Sequence, residues 1–197
     1  MGITERRIRE KEKVRETIIA KAWEMVQADG WEALSIRKIA DAIEYSVPVI
    51  YDHFENKEAI LSEFAKEGFR ILSKKMEQAK QKAANPVEQL KAMADAYWNF
   101  AMKNTAYYRL MYGVGMQCCS GLGKDKEGFD DHVTDTIRQI VAKTKYKNTN
   151  VCLKYHTFWS ILHGLVSIKI TEQSRQDREL NKLVLQDAIE GFIKNLK

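Results

Sequence analysis

The side chains of this sequence best suited to catalysis or metal binding are its four histidines. They are His53, His132, His156 and His163. No two of them stand at a metal-binding helical spacing such as His-x-x-x-His, and no carboxylate–histidine helix motif accompanies them. The sequence also lacks a glycine-rich phosphate loop. It therefore predicts a protein that is not an enzyme, holds no metal and needs no cofactor.

The three cysteines, Cys118, Cys119 and Cys152, show no metal-ligand spacing either. Their odd number, and a charged start without a secretory leader, indicate reduced thiols in a cytoplasmic protein. The longest apolar run, residues 158–170, is too short to span a membrane, which needs about 20 residues. We interpret the cysteines as core or loop residues, with a redox sensor at the adjacent pair as the alternative.

Two serines begin two short predicted helices. Ser35 is placed as the N-cap of a helix ending near Ile43, and Ser46 caps a second helix with Pro48 in its first turn. Two short helices in this arrangement are what a helix-turn-helix requires, with the motif at about residues 35–54. Such a motif places its second helix in the major groove of DNA.

In that arrangement Val47, Pro48 and Val49 would face base edges. Apolar side chains can contact a thymine methyl group but make no bidentate hydrogen bonds, so direct readout would be limited. We expect specificity to depend also on DNA shape, on Arg37 and Lys38, and on the basic arm, residues 1–15.

Phosphate contacts are expected from polar groups around the same helices. Ser35 and Ser46 offer hydroxyls, and Tyr51, His53 and Lys57 lie just downstream. For Tyr51 we expect a buried ring whose hydroxyl meets phosphate, and for Phe54 a core position. Net charge gives little support, because residues 1–15 carry six basic and three acidic side chains whereas residues 16–60 carry four basic and nine acidic ones.

The remaining chain reads as helix throughout, because only two prolines occur and apolar residues recur at helical spacing. The predicted fold is all-α with about nine helices: a three-helix head and a C-terminal helical bundle. The proposed domains are residues 1–60, for DNA binding, and residues 61–197, for ligand binding and dimerisation. The helix starts are placed at Thr4, Ser35, Ser46, Asn56, Asn85, Thr105, about residue 129, Asn148 or Asn150, and about residue 176.

The run Ile39-Ala40-Asp41-Ala42, then Ser46, then residues 50–60 (IYDHFENKEAI) resembles the signature of the tetracycline-repressor-like (TetR) family. The resemblance implies phosphate contacts at Ser35, Tyr51, His53 and Lys57, and base contacts at Val47 and Val49. One departure stands in the turn, where Glu44-Tyr45 replaces the usual Gly-Val. Positive φ at this turn would cost glutamate roughly 1 kcal/mol or more.

The C-terminal part contains Trp159, His163 and Gly164, which resemble the tryptophan–histidine–glycine C-terminal domain of one branch of these regulators. One interpretation is simple helix packing, with Gly164 allowing close approach. The other is a ligand cavity for an apolar or aromatic effector. Its expected lining residues are Trp98, Tyr112, Met116, Trp159 and His163.

Helices 8 and 9 are the expected dimer elements, because a pseudo-palindromic operator requires two reading helices. The sequence does not divide their apolar residues between dimer seam and protomer core. These residues are Leu162, Leu165, Ile168, Ile170, Leu183, Val184, Ile189 and Phe192. The expected function is a repressor released from double-stranded DNA by a small-molecule effector. The alternatives are a transcriptional activator and an architectural DNA binder without ligand control.

Overall fold

The computed structural model describes residues 2–113, 127–144, 149–171 and 178–196. Within these ranges the chain is helical and contains no strand, which confirms the predicted all-α class. The elements are α1 (Ile3–Asp29), a 3₁₀ turn (Trp31–Ala33), α2 (Ile36–Ala42), α3 (Val47–Tyr51), α4 (Lys57–Lys82), α5 (Pro86–Lys103), α6 (Thr105–Tyr112), α7 (Glu127–Val141), α8 (Val151–Thr171) and α9 (Arg178–Lys194).

Several helices start where the sequence places a capping side chain. Ser35 Oγ accepts a hydrogen bond from the Lys38 amide at 3.2 Å. Asn85 Oδ1 accepts from the Glu88 amide at 3.1 Å, and Asn150 Oδ1 accepts from the Leu153 amide at 3.0 Å. These bonds satisfy amides that have no partner inside the helix, so they fix where the helix begins.

Two of the predicted N-cap positions are wrong. Thr4 lies inside α1, whose N-cap is Gly2. Thr105 is the first residue of α6, and its hydroxyl donates back to the Ala101 carbonyl at 3.2 Å. Threonine can bond to the carbonyl of the preceding turn, and this bond competes with capping.

The first compact unit contains the chain up to Glu67 together with the segment that begins at Ala106. Its core brings together one face of α1, the buried side of α2 and α3, and the start of α4. The Trp23 ring stacks on the Tyr107 ring with centroids 4.1 Å apart, and Leu110 is fully buried in the same cluster. The sequence placed this α6 segment with the C-terminal domain, but its side chains pack with the head.

The second unit contains α5, α7, α8, α9 and the chain from Gly68 to the end of α4. Within it α5 packs against α7, α8 and α9. Phe158 of α8 and Phe192 of α9 pack with ring centroids 5.4 Å apart, and Lys80 donates to the His132 carbonyl at 3.2 Å. Over the ranges that the structure describes, no helix is both long and apolar enough to cross a membrane.

Candidate DNA-binding and ligand-binding sites

The helix α3 is held to the first unit mainly by one side chain. Ile50 is completely buried, whereas Val47 and Val49 are half-buried and Pro48 is exposed. The helix has only five residues, so it has little independent stability and depends on this anchor. Its start therefore remains at the surface, with the residues predicted to face bases.

The turn between α2 and α3 has the backbone geometry that the sequence predicted to be costly. Glu44 has φ 59°, the only positive φ at a non-glycine residue of the described chain. The next amide, at Tyr45, donates to the Ala40 carbonyl at 3.0 Å and closes the turn. Glutamate thus adopts a left-handed conformation that glycine enters without steric penalty.

Glu44→Gly is expected to stabilise the protein. Removing the Cβ relieves a conformation that costs about 1–2 kcal/mol, and the greater freedom of unfolded glycine offsets part of that gain. We expect a net increase of about 0.5–1 kcal/mol in the free energy of unfolding, measured by urea denaturation. Glu44→Ala is the control, because it removes the charge but keeps the Cβ. Equal stability of the two variants would contradict a strained turn.

Two predicted DNA-binding lysines converge on the 3₁₀ turn. Lys57 Nζ donates to the Glu32 carbonyl at 3.1 Å, and Lys38 Nζ donates to the Ala33 carbonyl at 3.4 Å. An ammonium group has three donors, so each lysine keeps protons for a further acceptor. Basic groups on α2 and α4 are thereby held on the same part of the head.

Among the predicted hydroxyl donors, Ser35 is engaged as a cap, whereas Ser46 makes no capping side-chain hydrogen bond. Tyr51 is 53% exposed, so the expectation of a buried ring is wrong. The reason is that Ile50 occupies the inward position of α3 and turns its neighbour outward. Arg37 is also exposed. These positions leave polar groups at the surface around α3.

The turn after α3 is tied to α1 and α4 through Arg15. Its guanidinium lies 4.7 Å from the centroid of the buried Phe54 ring and forms an ion pair with Glu63 at 3.1 Å. Burial opposes ionisation of Glu63, but its hydrogen bond and ion pair with Arg15, together with Lys66, lower its pKa. Phe54 is a core residue, as predicted.

His53 is half-buried at the end of the predicted helix-turn-helix, residues 35–54. Its pKa lies below the ordinary value of 6.5, first because of burial and then because of the charge of Lys11, with a smaller contribution from Arg15. Asp52 acts in the opposite direction. Lys11 therefore brings the basic arm close to the helix-turn-helix, a proximity that the sequence did not reveal.

The residues predicted to bind ligand are distributed over the molecule. The Trp159 and His163 rings stack with centroids 4.8 Å apart and planes inclined by 6°. Tyr112 belongs to the first unit, where its ring lies 4.8 Å from that of Tyr108. Met116 lies outside the described residues.

Gly164 does not serve the close approach that the sequence predicted. A Cβ built on it would meet nothing within 4 Å among the described residues. No neighbouring helix in the described part of the same protomer therefore requires a glycine at this position.

Trp98 lines a cavity of about 580 Å³ in the second unit. The described lining also includes Met102 and Lys103 of α5, and Lys169 and Ile170 of α8. Trp159 and His163 are not among these residues. Of the predicted ligand-binding residues that the structure describes, Trp98 is thus the one that lines this cavity.

Two family models match the sequence. The model of "Bacterial regulatory proteins, tetR family" matches residues 18–64, the part that contains α2 and α3. The model of "Tetracyclin repressor-like, C-terminal domain" matches residues 90–188, about half of the chain. The chain belongs to the TetR family. This TetR-family protein is a transcriptional regulator, and its matched N-terminal segment contains the helix-turn-helix.

Solved structures share the fold of this TetR-family chain, while no curated protein matches its sequence significantly. The fatty acid degradation regulator FadR from Bacillus halodurans has a TM-score of 0.73 at 17% identity, covering 91% of this chain and 94% of that chain. PfmR from Thermus thermophilus, a TetR family transcriptional regulator, has a TM-score of 0.64 at 19% identity, covering 91% and 98%. AibR, solved in complex with isovaleryl coenzyme A and operator DNA, has a TM-score of 0.64 at 16% identity, covering 90% and 96%.

Proposed function

We propose that this regulator is a cytoplasmic repressor that binds a pseudo-palindromic operator as a homodimer and is released by a small-molecule effector. The observation that supports DNA reading most directly is α3, a five-residue helix with Ile50 buried and its start at the surface. Val47, Pro48 and Val49 would contact base edges. Ser35, Arg37, Lys38, Ser46, Tyr51, His53 and Lys57 would contact phosphates or the groove edge.

We propose α8 and α9 as the dimer interface. Ile168 of α8 is 55% exposed, and Leu180, Leu183 and Val184 of α9 are 56%, 59% and 42% exposed. Leu162, Ile189 and Phe192 are instead buried in the protomer core. Exposed apolar side chains on two adjacent helices support a four-helix seam with a second copy, and the uncovered Gly164 of α8 fits the same interpretation.

We propose that residues 1–60 serve DNA binding and residues 61–197 serve ligand binding and dimerisation. The helix α4 begins in the first unit and continues into the second, so it is one covalent connection through which a signal could pass between them. An effector that binds more tightly to a DNA-incompetent arrangement would release the operator. The stacked Trp159 and His163 support a C-terminal domain of the tryptophan–histidine–glycine type.

The test is recovery of genomic DNA bound by the protein, followed by footprinting. A repressor of this kind should protect one defined palindromic site. Deletion of the regulator's gene should then raise transcription from the promoter at that site. Loss of transcription on deletion would indicate an activator. Binding without a defined footprint would indicate an architectural protein and contradict the proposal.

Lys57→Ala should weaken binding to all DNA sequences alike. The ammonium, held at the Glu32 carbonyl, would neutralise one phosphate, so the slope of log affinity against log salt should fall by about one. The measurement is a fluorescence-anisotropy titration at several salt concentrations. Lys66→Ala is the control, because Lys66 also lies on α4 but pairs with Glu63. An unchanged slope for Lys57→Ala would falsify the phosphate role of Lys57.

Operator affinity should rise as the pH falls, through His53. In the free protein its pKa lies below 6.5, because of burial and then Lys11. A DNA phosphate nearby would raise that pKa, so the complex takes up a proton. The gain should begin as pH falls through the raised pKa of the complex and be complete below the pKa of the free protein.

The pH effect is measured by anisotropy between about pH 8 and pH 6, with circular dichroism checking that the fold persists. His53→Gln should remove this dependence, whereas His156→Gln, at an exposed position of α8, should keep it. A wild-type pH dependence in His53→Gln would show that another group takes up the proton.

A further inference from the structure

The buried face of α1 loses its protein cover towards the start of the helix. Residues 7, 11, 15, 18 and 22 follow one another at intervals of three or four positions, so they share one side of α1. Ile18 and Ala22 are completely buried in the core of the head. Arg15 is half-buried, and Lys11 and Arg7 are exposed. Within about four turns, the same side of the helix therefore changes from core to a basic surface.

This basic row, Arg7, Lys11 and Arg15, starts beside the end of the helix-turn-helix. The Arg15 guanidinium lies 4.7 Å from the centroid of the Phe54 ring. One turn earlier on α1, Lys11 acts on the neighbouring residue, since the pKa of His53 is lowered first by burial and then by the Lys11 charge. Arg7 lies about 6 Å further along the helix axis. The row therefore carries positive charge from the end of the helix-turn-helix outwards along α1.

The two outer side chains of the row have no ion pair and no hydrogen bond with any residue that the structure describes, whereas the adjacent Arg6 pairs with Glu10 at 2.9 Å. Like charges four positions apart disfavour a helix, so Arg7 and Lys11 do not stabilise α1 by themselves. The acidic residues nearby lie roughly 100° or more around the helix axis from Lys11. They are Glu5, Glu10, Glu12 and Glu16. The row is thus a surface that fits an anion from outside the chain.

We propose that Arg7 and Lys11 bind phosphates of the DNA backbone beyond those that the helix-turn-helix reaches, so that α1 lengthens the DNA-binding surface of the head. The proposal rests on the proposed docking of the head on a duplex, with His53 near the backbone. DNA is the occupant that fits, because it carries one negative charge about every 1.7 Å along its axis. Phosphate contacts position a protein without reading bases, so the row strengthens binding to every sequence.

The alternative is that these side chains only add to the general positive charge of residues 1–15. That role predicts an equal contribution from any exposed basic residue of this segment. Lys13 separates the two cases, because it is exposed and its side chain has no partner among the described residues. It lies only two positions after Lys11 but about 160° around the helix axis from it.

The test compares Arg7→Ala with Lys11→Ala, combined in one variant, against Lys13→Ala in the full chain. Fluorescence anisotropy is measured at several salt concentrations with the footprinted operator and with a random-sequence duplex of the same length. The double variant should reduce the slope of log affinity against log salt by about two per protomer, and affinity at 0.1 M salt at least about tenfold, on both duplexes. Lys13→Ala should change the slope by much less than one. An unchanged slope in the double variant, or an equal effect of Lys13→Ala per side chain, would overturn the proposal.

Ethylation interference then locates the contacts. Ethylation of at least two phosphates in each half-site should weaken the binding of the wild type and not that of the double variant. An identical interference pattern for the two proteins would also overturn the proposal. Both variants should unfold at the urea concentration of the wild type, because the substituted side chains are exposed. If Lys57→Ala reduces the salt slope but the double variant does not, this inference alone is refuted and DNA binding by the head stands.

Discussion

Leu183→Arg is expected to convert the protein into a monomer that barely binds its operator. Leu183 is 59% exposed in the protomer, so arginine can be accommodated without disturbing the core. In a symmetric dimer the substitution would bury one arginine from each copy in the apolar seam without a partner charge. Loss of the second half-site should reduce operator affinity by about 100-fold or more.

Sedimentation velocity measures the oligomeric state, and anisotropy with operator DNA measures the affinity. Gln139→Arg, at an exposed position of α7, introduces the same side chain away from the proposed seam and should leave both quantities unchanged. A dimeric Leu183→Arg with full operator affinity would show that the interface lies elsewhere.

Ile50→Ala is expected to cause a large loss of stability of the head. The side chain is fully buried and is the main anchor of the five-residue α3. Large-to-small substitution at such a position costs about 2–5 kcal/mol of unfolding free energy. Because α3 is too short to persist without this anchor, specific DNA binding should be lost as well. Urea denaturation and anisotropy test the two effects.

Tyr51→Ala is the companion variant, on the same helix and at an exposed position. It should leave the urea midpoint close to that of the wild type but weaken DNA binding, because it removes a hydroxyl expected to meet phosphate. If Ile50→Ala unfolds at the wild-type urea concentration, then α3 is not anchored as the structure indicates.

Local sequence signals were sufficient for most of the helical architecture. Capping side chains at Ser35, Asn85 and Asn150 set helix starts through bonds within three residues, which a sequence can display directly. The cost at Glu44 was also visible, since it follows from the backbone preference of one residue in a known turn.

Contacts between residues far apart in the sequence could not be predicted in this way. The stack of Trp23 on Tyr107 joins residues 84 positions apart, and no periodicity in the sequence predicts it. The sequence also could not divide the apolar residues of α8 and α9, because buried Leu162 and exposed Ile168 have the same chemical character. Likewise, Tyr51 is exposed because α3 packs against the head through Ile50, the residue before it.

In the first turns of α1, affinity for DNA and folding stability can vary separately. Residues 4–13 are all exposed, and the basic side chains among them make no contribution to the hydrophobic core. Substitutions there can therefore change the attraction for polyanions while leaving thermal stability nearly unchanged. Natural variation in this stretch could adjust the residence time of such a protein on chromosomal DNA without altering its hydrophobic core.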